Sequence, residues 1–191
     1  MPKLGMEPIR RAALVEATIA EIGAAGSLDV TVGQIARRAG MSSALAHHYF
    51  GGKDQIFLAA MRHILRDFGR EVRSELARAH TPRARAEALI AASFAPSCFA
   101  RATICAWMTL YAQATTHPET LRLLTLYQRR LCSNLTHALR PLSAAPRKDA
   151  EMLGALIDGL YLRAALSPDG TVAQARATVE RALDQLIGSP S

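Results

Sequence analysis

Several side chains that can hydrogen-bond without a fixed charge are crowded into one short stretch of the chain, around His47, His48 and Tyr49. Imidazole, hydroxyl and phenol groups suit contacts with base edges in a DNA groove and with phosphate oxygens. At 100° per residue, the stretch has two different faces. One face carries Ser43, Ala44, His47 and His48. The other carries Leu45, Ala46, Tyr49 and Phe50.

The residues just before this stretch have the pattern of a short helix followed by a tight turn. Thr31 and Gln34 have the spacing of a capping box, and Gly40 can take the left-handed conformation that ends a helix. Ser42 can cap the next helix. Two short helices joined in this way fit a helix-turn-helix, whose second helix enters the major groove. The pattern alone fits an ordinary pair of packed helices equally well.

The stretch QIARRAGMSSALAHHYFGGK, from Gln34 to Lys53, resembles the DNA-binding domain of the TetR family of bacterial repressors. The resemblance covers the first helix, from Ile9 to Ala25, and continues into the helix after Lys53. Three further stretches resemble the BetI branch of that family, which are choline-sensing repressors of glycine betaine synthesis. They are MPKLGMEPIRR at 1–11, RRLCSNL at 129–135 and ALIDGLYLRAAL at 155–166.

The resemblance implies which residues meet DNA. TetR proteins commonly have L-Y-x-H-F at the end of the second helix, whereas this chain has His47 at the tyrosine position and Tyr49 at the histidine position. BetI-like proteins share the H-Y-F ending. Lys53, at the start of the next helix, is suited to hold a phosphate, and Asp54 is predicted to be that helix's N-cap. The predicted DNA-binding residues are Thr31, Ser42, Ser43, Ala44, Leu45, His47, His48, Tyr49 and Lys53.

Composition and helical periodicity favour an all-α protein of 191 residues, rich in alanine and leucine. We predict a three-helix DNA-binding domain at 1–53, with its helix-turn-helix at 31–50. A larger helical domain at 54–191 is predicted to bind ligand and to dimerise. The net charge of +7 fits a polyanionic partner, but the basic residues are spread along the chain and do not locate the site.

Other classes of protein find little support in the residue patterns. Cys98, Cys105 and Cys132 are far apart, which suggests neither a disulfide framework nor a zinc site. We find no catalytic constellation, no nucleotide-binding loop, and no pattern for a metal or cofactor. No apolar run is long enough to span a membrane, and no signal peptide is evident. These patterns predict a cytoplasmic protein that is not an enzyme.

The resemblance also implies a homodimer formed through helices near 147–166 and 171–187, which would set two heads on one palindromic DNA operator. The alternative is a monomer whose last two helices complete its own core. A chain that has lost DNA binding and serves only as a helical ligand-binding dimer is a further alternative. The intact turn glycine, Gly40, and Lys53 argue against it.

Choline, the effector implied by the resemblance, is a quaternary ammonium whose recognition needs aromatic faces and a carboxylate. Trp107 and Tyr111 share a helix face, as do Asp158 and Tyr161, and we predict that these four form a cage. In the alternative, the aromatic residues are ordinary core and Asp158 pairs with Arg163 or with a cation of the partner chain. A TetR-family repressor with a different ligand and pathway also remains open.

Overall fold

A computed structural model describes residues 5–27, 29–167 and 171–188, so the first four residues of the 1–11 stretch lie outside it. The described residues form nine α-helices and one short 3-10 helix, without a β-strand, which confirms the all-α prediction. The α-helices are α1 (Met6–Ala25), α2 (Val32–Arg38), α3 (Ser43–Phe50), α4 (Lys53–Arg78), α5 (Pro82–Ser93), α6 (Arg101–Ala114), α7 (Pro118–Leu139), α8 (Pro146–Leu166) and α9 (Val172–Ile187). The 3-10 helix is Pro96–Phe99.

The ends of α2 and α3 are set by the local rules that the sequence indicated. The Thr31 hydroxyl accepts a hydrogen bond from the Gln34 amide at 3.1 Å, and the Gln34 side chain accepts one from the Thr31 amide at 2.7 Å. Gly40, with φ +67°, turns the chain, and the Ser42 hydroxyl accepts from the Leu45 amide at 3.2 Å. These bonds satisfy amide groups that a helix leaves without a partner at its first turn. The predicted helix-turn-helix is therefore present.

The start of α4 differs from the prediction. The helix begins at Lys53, so Asp54 lies within its first turn instead of capping it. A carboxylate in the first turn still interacts favourably with the positive end of the helix dipole, which explains why its position looked like a cap.

Contacts along the chain define two compact units. The first unit comprises residues 1–66 and 100–124, and the second comprises residues 67–99 and 125–191. Within the first unit, α1 packs on α2 and α6, and α2 packs on α3. The approach of α1 to α6 is close enough that a Cβ on Gly23 would lie 2.8 Å from the Cβ of Ala102. The functional division at residue 53 stays a prediction, because the packing units are bounded differently.

The second unit has its own apolar core. In it α8 packs against α9, and both contact α5. The side chain of Arg83 on α5 also joins this unit together, because its guanidinium donates to Glu87, Asp184 and the carbonyl of Gly188. The most deeply buried side chains of this core include Leu135, Leu139, Leu153, Ile157, Val179 and Leu183.

Two negative findings apply to the described residues only. None of the single helices there is long and apolar enough to cross a membrane; the segments Pro82–Phe99 and Arg101–Ala114 pass that test only when joined across their break. No three His, Cys, Asp or Glu side chains in those ranges are grouped so as to hold a metal ion. The three cysteines are free, and burial raises the pKa of the Cys98 thiol to about 11, so this thiol stays protonated and unreactive at neutral pH.

Candidate DNA interface and effector residues

The outer face of α3 is exposed and the inner face is packed, as its periodicity predicts. Ser43, Ala44, His47 and His48 are exposed. On the inner side Ala46 is fully buried, and Ile35 and Ala36 are buried in the contacting helix α2. The exposed set combines two small residues with two imidazoles, so the backbone of α3 can approach a partner closely while the imidazoles reach further. This surface has the shape and chemistry to enter a DNA groove.

The C-terminal end of α3 is held by two side chains. The imidazole of His47 lies within hydrogen-bond distance of the Gly51 carbonyl, with Nδ1 3.1 Å from the oxygen. Arg11 of α1 donates to the Tyr49 carbonyl at 2.5 Å, and its guanidinium lies 5.4 Å from the centroid of the Tyr49 ring. It also lies 5.2 Å from the Phe50 ring. The last carbonyls of a helix lack partners within it, so these contacts stabilise an end that would otherwise fray.

Five cations on the helices around the helix-turn-helix fall into two groups. Arg11 pairs with Glu7 at 2.8 Å, and Arg38 pairs with Glu21 at 2.5 Å. Arg10, Arg37 and Lys53 form no ion pair with any described residue. Unpaired cations are the ones free to meet phosphate, and Lys53 has the free amides of a helix N-terminus beside it.

Trp107 and Tyr111, both predicted to bind the effector, lie together on α6 in the first unit. Their ring centroids are 6.0 Å apart, which is within the range of interacting aromatic rings. Trp107 is only 7% exposed, whereas Tyr111 is half-buried. The structure therefore brings these two rings together on one helix, as their spacing predicts.

Asp158, the predicted counter-charge, lies in the second unit and is half-buried. Its carboxylate does not pair with Arg163; it accepts a hydrogen bond from the Tyr127 hydroxyl at 2.9 Å. The Tyr127 ring in turn packs edge-on against Phe68 of α4, with centroids 5.9 Å apart. Burial raises the pKa of Asp158 above its ordinary value, and the bond from Tyr127 partly opposes that rise.

Tyr161 is placed differently from Asp158, although both are on α8. Its hydroxyl donates to the Cys98 carbonyl at 2.9 Å, and its ring lies 5.0 Å from that of Phe99, centroid to centroid. Only 8% of Tyr161 is exposed. Its hydroxyl therefore ties α8 to the 3-10 helix, and its ring is part of an aromatic group that also includes Phe94.

Sequence analysis missed three residues at these sites: Arg11 as a contact of α3, Tyr127 as the partner of Asp158, and Phe68 as the ring that packs on Tyr127. Arg11 lies 38 residues from Tyr49, and Tyr127 lies 31 residues from Asp158. Helical periodicity relates residues three or four positions apart, so it could not pair these. An uncompensated acid within the apolar ALIDGLYL was the one available indication that Asp158 needs a partner.

An apolar row runs along the outer side of α8. Its members recur at alternating spacings of three and four, and Met152 and Leu166 are 49% and 64% exposed. Gly159 in this row has open space where a side chain would stand. The row consists of Met152, Ala155, Gly159, Leu162 and Leu166. Such a row is the pattern with which one helix packs against another.

Comparisons with known proteins identify the same family of repressors in the N-terminal and C-terminal parts of the chain. Residues 14–60 match the tetR family of bacterial regulatory proteins, and residues 82–188 match the C-terminal part of BetI-type transcriptional repressors. The HTH-type transcriptional regulator BetI of Brucella anthropi is 54% identical over 183 residues, which cover 94% of each protein.

Two solved structures share the fold. A TetR transcription regulator from Haloarcula marismortui is 19% identical with a TM-score of 0.85, covering 94% of this chain and 99% of that one. A transcriptional regulator from Saccharomonospora viridis, solved in complex with choline, is 22% identical with a TM-score of 0.77. That match covers 91% of this chain and 95% of the other.

Proposed function

This chain belongs to the BetI-type transcriptional repressors of the TetR family, which are DNA-binding regulators, and we propose that choline is its effector. As a homodimer it binds a palindromic operator in the cytoplasm, and choline weakens that binding. The genes it controls are then those of choline uptake and glycine betaine synthesis. The observation that carries the DNA-binding part is the exposed face of α3 over a buried floor.

Within this proposal, the DNA contacts are the predicted set from Thr31 to Lys53. His47 already lies beside the Gly51 carbonyl and so has one ring nitrogen engaged, which leaves His48 as the imidazole with both nitrogens available. The unpaired cations Arg10 and Arg37 add phosphate contacts on neighbouring helices. Unpaired charges supply affinity for any DNA, while the α3 side chains supply the choice of sequence.

The effector assignment has two supports. The Saccharomonospora viridis regulator shares the fold and was solved in complex with choline. In this chain, the second unit contains a half-buried carboxylate without a cationic partner among the described residues, together with aromatic rings. The predicted ligand residues Trp107, Tyr111, Asp158 and Tyr161 are retained in the proposal. A hundredfold loss of operator affinity needs about 2.7 kcal/mol of coupling.

Dimerisation through α8 and α9 is supported by the apolar row on α8. Gly159 gives no side chain to that row, so a second helix can approach closely there. Replacing Ala155 with Glu places a charge in the row and is expected to shift the protein towards monomer in sedimentation velocity. Ala77→Glu, at an exposed alanine of α4, is the matched control and should leave the mass unchanged. A dimer that persists in Ala155→Glu would contradict this interface.

The proposal is tested by titrating a labelled fragment of the DNA upstream of the chain's own gene, at fixed salt, against a random fragment of equal length. Specific binding that choline weakens, and that its neutral isostere 3,3-dimethylbutan-1-ol leaves unchanged, is the expected result. Specific binding indifferent to choline would keep the repressor and overturn the effector. This second outcome describes a TetR-family repressor of another pathway.

A further inference from the structure

We propose that Asp158, Tyr127 and Phe68 form the subsite that receives the positively charged headgroup of the effector. This inference rests on the proposed function and narrows its ligand set to one cluster within the second unit. Two of the three residues, Tyr127 and Phe68, were not among the sequence predictions.

The first argument is the state of the carboxylate. Asp158 is half-buried, and its one hydrogen bond comes from a neutral phenol. No Lys, Arg or His among the described residues forms an ion pair with it, although Arg163 is five positions along the same helix. A carboxylate that is partly removed from water without a compensating cation destabilises the folded protein. A cationic ligand would supply the missing charge.

The second argument is the aromatic surroundings. The Tyr127 ring meets the Phe68 ring edge-on at 5.9 Å, and the Tyr127 hydroxyl donates to Asp158. A quaternary ammonium has no N–H to donate, so it is recognised by ring faces and by a nearby negative charge. Both elements are present here on three different helices, α4, α7 and α8.

The third argument is by contrast with Tyr161. The Tyr161 hydroxyl donates to the Cys98 carbonyl and its ring packs on Phe99, whereas the Tyr127 hydroxyl donates to the Asp158 carboxylate itself. Tyr161 is also more deeply buried than Tyr127. We therefore assign the headgroup to the side of α8 that contacts Tyr127. Tyr161 holds α8 in place through its contacts with Cys98 and Phe99.

The test compares how strongly the protein prefers choline over neutral 3,3-dimethylbutan-1-ol, measured by calorimetry on the full chain. Asp158→Asn keeps an acceptor for Tyr127 but removes the charge, and is expected to reduce choline affinity by about tenfold while leaving the isostere unaffected. Glu151→Gln, an exposed acid on the same helix, is the matched control. A general loss of folded protein would weaken both ligands equally and leave the preference intact.

Tyr127 provides the same test from the aromatic side. Tyr127→Phe keeps the ring and is expected to bind choline within about threefold of the wild type, whereas Tyr127→Ala is expected to lose about tenfold. An unchanged preference for choline in both Asp158→Asn and Tyr127→Ala would overturn the subsite. A wild-type protein that binds its operator but does not bind choline would overturn the effector assignment and the subsite together. It would leave the assignment as a DNA-binding repressor in place.

A separate observation concerns the other unit, and from it we infer that Arg11 positions the C-terminal end of α3 instead of neutralising a phosphate. Its guanidinium is shared among the Glu7 carboxylate, the Tyr49 carbonyl and the rings of Tyr49 and Phe50. A helix of eight residues is marginal by itself, so its geometry depends on such tertiary contacts. Arg11 precedes residues 14–60, the span of the family match.

The neighbouring arginine supplies the control. Arg10 has no partner among the described residues, so Arg10→Ala should weaken operator and random DNA alike and make binding less dependent on salt. Arg11→Ala should instead weaken operator binding by about tenfold, lower the ratio of specific to random binding, and leave the salt slope unchanged. Mere unfolding would lower the active fraction for both DNAs and would not change that ratio. An unchanged ratio with a reduced salt slope would show that Arg11 is a phosphate contact.

Discussion

The helix-turn-helix and the surroundings of Asp158 hold their polar side chains in opposite ways. In the first, exposed side chains project from a backbone fixed by caps, a left-handed glycine and a buried floor. In the second, the backbone is ordinary helix, and the polar group itself is half-buried and held by one hydroxyl from another helix. The difference shows that the proposed DNA surface is stabilised by the buried residues beneath it, whereas the charged Asp158 carboxylate lowers the stability of the folded protein.

Truncating a buried side chain of α2, the helix that packs beneath α3, has the largest expected effect and tests whether buried residues support the DNA surface. Ile35 is buried in α2, and Ile35→Ala is expected to cost about 3 kcal/mol of unfolding free energy, because it deletes three carbons from a packed site. Ile9 in α1 is 62% exposed, so Ile9→Ala should change stability by less than about 0.5 kcal/mol. Urea unfolding of both variants measures the contrast. Equal losses would mean that Ile35 is not the support.

Substitution of the turn glycine Gly40 is expected to have a smaller effect on unfolding free energy. Gly40 has φ +67° and open space around it, so Gly40→Ala meets backbone strain but no clash, and is expected to cost about 1 kcal/mol. Gly69 lies inside α4, where alanine is preferred, so Gly69→Ala should gain about 0.5 kcal/mol. Thermal unfolding with both variants checks the opposite signs. A stabilised Gly40→Ala would show that the turn tolerates other conformations.

The smallest expected effect is the pH-dependent change in stability when Asp158 loses its charge. Since burial raises the pKa of folded Asp158, the charged form destabilises the folded state at neutral pH. Asp158→Asn should therefore raise Tm at pH 7 without choline, with a gain of less than about 1 kcal/mol in unfolding free energy. The difference in Tm between the variant and the wild type should shrink as pH falls through the raised pKa of Asp158. It should close near the ordinary pKa of 3.8. A Tm advantage of the variant that persists unchanged at acid pH would contradict this account.

Local rules explain why the helix-turn-helix could be predicted from the sequence. The Thr31–Gln34 capping box, the Gly40 turn and the Ser42 cap each involve residues at most three positions apart. The helices predicted near 147–166 and 171–187 likewise correspond to α8 and α9, which begin at Pro146 and Val172. The predicted cap, Asp54, lies two residues beyond the N-cap position, because a first-turn acid and a capping acid have similar sequence patterns.

The rest depended on contacts between distant residues. The Tyr127 partner of Asp158 and the Arg11 contact with α3 follow from how helices pack, which the spacing of residues along one helix does not specify. The pairing of Trp107 with Tyr111 was predictable because both are on α6, one turn apart. What a sequence reveals about a site thus depends on whether the site is built within one helix or between several.

The composition of the first unit has a consequence for protein engineering. Residues 100–124 belong to the same compact unit as residues 1–66, and α6 lies against α1 where Gly23 faces Ala102. A hybrid regulator made by exchanging residues 1–53 alone would therefore bring a foreign α1 against a native α6. Transplanting the two segments together, or retaining glycine and alanine at those positions, preserves this interface. The transferable module is discontinuous in the gene.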